Sequence, residues 1–133
     1  MRATAKLIHG TLRNDVLIRN AFVVETDEPE SVGGEDSAPA PHELLGTALA
    51  SCVSTTIAMY ARTKSWELGG VLVEVDYDKD VTPRRFRVDV FLDGDYDAAQ
   101  IARLERAAAT CPVRRSLEAG FALEEHVHAS LLV

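Results

Sequence analysis

Aromatic residues supply only 6% of this 133-residue chain. Its core must therefore be built from Val, Leu, Ile and Ala. Cysteine is scarcer still, with Cys52 and Cys111 alone and far apart. That spacing excludes a CxxC redox motif and the paired spacing of a zinc site. Positive charge is in deficit: 14 Lys and Arg face 21 Asp and Glu, a net charge of -7. This excludes a nucleic-acid surface, which needs clustered cations. The densest basic group, Arg84, Arg85 and Arg87, sits among alternating apolar positions and reads as a solvated strand face. An apolar leader is missing from MRATAKLIHGTL, so a cytoplasmic protein with reduced thiols is expected. Neither a repeat nor a linker divides the chain, and residues 1–133 read as one domain. Charge is absent from Leu44 to Ala61, near the minimum for a membrane span. Five hydroxyl residues and the lack of aromatic belts favour a core helix over a membrane one.

What is present is regular alternation. Residues 3–12 and 16–26 read as two strands of a hairpin turning at Arg13-Asn14-Asp15. Asp27 to Pro41 is rich in Pro, Gly, Ser and acid, a loop that serves either as a lid or as a connector. From His42 to Lys64 the pattern is apolar nearly all round, which predicts a helix buried on most sides. Val71, Val73, Val75 and Tyr77 alternate, as do Phe86, Val88, Val90 and Leu92, giving two strands. Residues 97–110 predict an amphipathic helix with Ile101, Leu104, Ala108 and Cys111 on one face. Pro112 starts a short helix that Gly120 stops. Residues 121–132 alternate as a last strand. The expected architecture is α+β, in the order β-β-α-β-β-α-α-β, with antiparallel sheet pairs around a buried central helix. One domain this small cannot cover such a helix alone, so a homodimer with an extensive interface is expected.

Cys52 lies on the long helix with Leu45, Ala48, Leu49, Thr56 and Met59. Cys111 precedes Pro112 and so sits near a helix's positive end, where a thiolate is favoured. Two inert core thiols fit the spacing equally well. His126-x-His128 places two imidazoles on one strand face, either as metal ligands or as solvated side chains.

Several segments together resemble the OsmC/Ohr family: Pro-His-Glu-Leu-Leu at 41–45, Ala-Leu-Ala-Ser-Cys at 48–52, Thr55-Thr56 with Met59-Tyr60-Ala61, and Cys111-Pro112-Val113. Asp27-Glu28-Pro29 and Gly33-Gly34 resemble one branch of it. The resemblance implies an OsmC-like fold, an intertwined homodimer and an organic hydroperoxide substrate. It also implies a peroxidatic role for Cys52, a resolving role for Cys111, and a dithiol reductant, typically a lipoyl group on a protein. No cofactor, nucleic acid or membrane is implied. A buried thiol needs a cation or donor to ionise. In better-known members this is an Arg held by a Glu ten residues before the cysteine, where this chain has His42. Glu43 is one step later, and nine helical residues turn about 900°, half a turn away from Cys52. Glu43 is then either a site carboxylate in an irregular first turn or a helix-start acid. His42 is either a donor to the thiolate or a cap. Arg13 is the best positional match for the Arg, with Arg19 a second candidate. Without such an Arg, a small-molecule binding or redox-sensing module is the competing reading.

Overall fold

The computed structural model describes residues 1–129. Strand β1 spans Ala3–Leu7, β2 Asn14–Ile18 and β3 Phe22–Thr26, in one antiparallel sheet of order β1-β2-β3. This corrects the two-stranded hairpin. The stretch read as one strand, 16–26, folds back at Arg19 and Asn20, whose φ values are +53° and +56°. The Ala21 N–H donates to the Ile18 carbonyl at 3.0 Å. Both central residues are left-handed, the tight turn that matches strand twist.

Helix α1 covers Pro41–Thr63, with Pro41 in its first turn. It ends at Ser65 (φ +54°), where the Trp66 N–H reaches back to the Ala61 carbonyl at 2.9 Å. Strands β4 (Val71–Asp78) and β5 (Arg85–Leu92) form a second antiparallel sheet, with Val73 opposite Val90 and Val75 opposite Val88. Helix α2 is Ala98–Ala108, capped by Asp97 and Gln100 in a reciprocal pair. Helix α3 is Pro112–Ala119.

The core is one line along α1, Leu49, Val53, Ile57 and Ala61, at steps of four. It packs on β4, α2 and α3, with Leu104 and Cys111 buried against it. The expectation of burial on most sides fails within one chain, because these four are α1's only fully buried residues. Leu45 and Met59 stand exposed on the same helix. By length and composition α1 is apolar enough to cross a membrane. The expected last strand also needs correction: residues 121–129 form no strand, and 130–132 lie outside the described residues. Phe121, Leu123 and Val127 are exposed. Their alternation suits a strand, but among the described residues they pair with none.

The 27–40 loop is built rather than loose. Asp27 is 1% exposed. Its Oδ2 accepts the Ser37 hydroxyl at 2.7 Å and the N–H groups of Ser37 and Glu35 at 3.0 and 3.2 Å. Its Oδ1 accepts the Glu28 N–H at 2.8 Å. The Asp27 N–H donates to the Pro39 carbonyl at 3.1 Å, closing the loop at the threshold of α1. Gly34 is required, since a Cβ there would collide with the Glu28 carbonyl.

Candidate active site

Helix α1 carries Cys52 half-buried on the flank of its core stripe, and the α2–α3 corner carries Cys111 wholly buried. Cys111 is the cap residue of α3, and Pro112 after it fixes the first helical φ without needing an N–H partner. The corner therefore presents unpaired N–H groups toward α1, at the positive end of a helix dipole.

Cys52 packs against the buried cluster that holds Cys111, and each thiol bears on the other's ionisation. Burial pushes the Cys52 thiol up, but the Cys111 thiol, the Val113 N–H and the Thr56 hydroxyl outweigh it. Cys52 therefore ionises below its ordinary value of 9.0. Thr56 contributes least, since its one proton already goes to the Cys52 carbonyl at 2.8 Å. Cys111 moves the other way. Burial and then the neighbouring Cys52 sulfur raise it, and the Arg114 and Val113 N–H groups only partly offset them. The pair is thus polarised, with Cys52 the more acidic thiol and Cys111 the less acidic one. A thiolate attacks an electrophilic oxygen, and a protonated thiol beside it is placed to condense with the product.

The other sequence candidates lie elsewhere in the single chain. His42 is exposed and stacks on Tyr77, with ring centroids 5.7 Å apart. The Glu43 carboxylate accepts the Ala40 N–H at 3.4 Å, the role of a helix-start acid. Arg13 pairs with Glu25 at 3.6 Å, and its Nε is buried without a partner. Arg19 lies over the Phe22 ring at 5.4 Å. None of them contributes to the shift of Cys52. The positive partner expected from the sequence is thus replaced, within one chain, by neutral donors at a helix N-terminus. Sequence reasoning put Thr56 on the Cys52 stripe without a role, and expected a positive helix end at Cys111 without naming the Val113 and Arg114 amides. Pro112 was the available signal for the amides, and the four-residue step from Cys52 was the signal for Thr56. His126 and His128 are exposed, and no metal-holding cluster occurs among the described residues.

A sequence model of the family described as OsmC-like protein matches residues 34–126. The chain belongs to the OsmC-like family. Solved OsmC-like structures share its fold. A protein assigned to the osmotic stress and detoxification response of Psychrobacter arcticus is 27% identical, with a TM-score of 0.73 and 85% of each chain covered. An OsmC-like protein of Mycoplasma pneumoniae is 18% identical, with a TM-score of 0.72, covering 88% of this chain and 86% of its own. An organic hydroperoxide resistance protein OsmC of Legionella pneumophila is 21% identical, with a TM-score of 0.60, covering 86% and 88%. No curated protein matches the sequence.

Proposed function

We propose that this protein is a thiol-dependent peroxidase for organic hydroperoxides, acting in the cytoplasm as a homodimer. The observation that carries the reading is the Cys52–Cys111 pair at the start of α3, one sulfur biased to thiolate and the other to thiol. The Cys52 thiolate attacks the terminal oxygen of ROOH and the O–O bond breaks. The alkoxide takes a proton and leaves as ROH, and Cys52 becomes a sulfenic acid. The Cys111 sulfur then bonds to Cys52, and the hydroxyl departs with the Cys111 proton as water. An external dithiol, such as a lipoyl group on a protein, returns the two electrons by exchange. No cofactor is needed. The apolar surroundings of the thiols, Leu49, Val53 and Leu104 among them, favour an organic peroxide over hydrogen peroxide. Membership of a family with proteins named for organic hydroperoxide resistance supports the same chemistry.

Stopped-flow consumption of cumene hydroperoxide by the reduced protein tests this. Fast loss is expected, abolished in Cys52→Ser, with a Cys52–Cys111 disulfide in the mass spectrum after one equivalent. A rate no greater than that of free cysteine sinks the enzyme. One observation favours the second reading, a binding or redox-sensing module: Arg13 is engaged with Glu25 rather than with Cys52. That module forms the disulfide slowly and does not turn over.

A further inference from the structure

A disulfide between Cys52 and Cys111 would be hard to reach. Cys111 is wholly buried and Cys52 half-buried, so a dithiol set in a rigid protein face cannot touch either sulfur. A groove of about 560 Å³ between α1 and α2 adjoins them. It starts at Thr56 and Pro112, passes Tyr60 to Thr63 on one wall, and has Arg103 and Arg106 on the other. The run from Thr56 to Thr63 is about 10 Å of helix. The outer end is positive. No Asp or Glu lines the groove, in a chain of net charge -7. Arg103 and Arg106 are exposed and form no ion pair among the described residues. The Lys64 ammonium stands 5.7 Å over the Tyr60 ring. Lys64 and Arg106 end their helices, where a cation offsets the dipole. Arg103 lies a turn earlier and has no such local reason. Cations gathered against the sign of the whole chain steer an oppositely charged partner and fix its orientation.

We infer that Arg103, Arg106 and Lys64 dock the acidic face of a protein that carries its dithiol on a flexible arm, and that the groove admits the arm to Cys52. This rests on the peroxidase reading, whose reductant it specifies. The arm's thiolate attacks Cys52, the more exposed sulfur, so the Cys52–Cys111 bond breaks and Cys111 leaves. The arm's second thiol then displaces Cys52 and closes the arm's own disulfide. The dithiol's two electrons and two protons end on Cys52 and Cys111. Because the three cations are exposed, salt screens the attraction.

The test oxidises the full-length protein with diamide, then reduces it with an acidic lipoyl-bearing domain in its dithiol form or with free dihydrolipoamide. Mass spectrometry of quenched samples follows the rate, and no peroxide is involved. At about 20 mM salt the carried dithiol should react about tenfold faster than the free one, and about 300 mM salt should remove most of that advantage. Arg103→Glu with Arg106→Glu should slow the carried dithiol about tenfold more than the free one. Arg103→Lys with Arg106→Lys should keep the wild-type ratio. Salt-independent reduction, or a Glu pair that slows both dithiols alike, overturns the inference and leaves the peroxidase reading standing. So does a Glu pair that changes only the monomer–dimer equilibrium, which would make a second copy of the chain the occupant. Failure of diamide to join Cys52 to Cys111 overturns both.

Discussion

Cys111 shapes the reactivity of Cys52 before any disulfide forms. Its thiol is the largest of the contributions that lower Cys52, and Cys111 itself is raised by burial first and by Cys52 second. A group lowered below 9.0 is thiolate at any pH above its own value, so removing the donor shifts that titration upward. Cys111→Ala should therefore move the pH profile of Cys52 alkylation to higher pH and slow alkylation at pH 7, since less of the thiol is then ionised. Cys111→Ser keeps a donor and should move it less. Iodoacetamide rates measured from pH 6 to 10 decide this, and an unchanged profile in Cys111→Ala removes the donor role. At this scale the sequence was partly legible. Cys52 and Cys111 stand out because the chain has only two thiols and because Pro112 marks a helix start. The placements of His42, Glu43 and Arg13 were not legible. Whether a side chain caps, stacks or reaches a thiol depends on tertiary approach, which linear spacing does not encode.

Among the elements, α1, α3, β4 and β5 follow from periodicity, proline position and glycine breaks, because those signals act within a single turn or strand pair. The β2–β3 turn was hidden because Arg19 and Asn20 adopt left-handed conformations without a glycine to announce them. The 27–40 loop was recognised as a loop, but its organiser was not, since Asp27 is one acid in a stretch that also holds Glu28, Glu30, Glu35 and Asp36. Hydrogen bonds from Ser37, first its N–H and then its hydroxyl, hold the Asp27 carboxyl down at about 2 against burial, aided by the Glu28 and Glu35 N–H groups. The ordinary value is 3.8. A depressed carboxyl stabilises the fold fully above its unfolded value, and that contribution fades as pH falls from about 4 through about 2. Asp27→Asn should therefore lower the melting temperature at pH 7 and flatten its dependence between pH 4 and pH 2. Thermal unfolding followed by circular dichroism across that range checks it. Parallel curves for the two proteins would show that another group governs acid unfolding.

For the whole molecule, surface area is the deciding quantity. The chain exposes 10565 Å² at 14.5 kDa, whereas a compact monomer of that mass exposes about 6,900 Å². The excess has a definite location. Leu7, Val16, Ile18, Phe22 and Val24 share one face of the β1–β3 sheet by their register, and among the described residues no helix packs extensively on that sheet. The free side of α1 and the unpaired 121–129 segment are open as well. An excess of this size fits the interface of an obligate homodimer rather than a transient contact. In the proposed homodimer a helix apolar all round takes cover from two chains, and that is the reading under which the sequence's overstatement of α1 burial makes sense. Light scattering after gel filtration should give a mass near twice 14.5 kDa across the micromolar range. If the proposed dimer is obligate, Phe22→Asp, which places a charge on this sheet face, should shift the protein toward monomer and cost stability with it, because obligate protomers have no independent fold. A stable, cooperatively folding 14.5 kDa monomer would mean that the apolar faces find their cover within one chain, and the dimer would have to be abandoned.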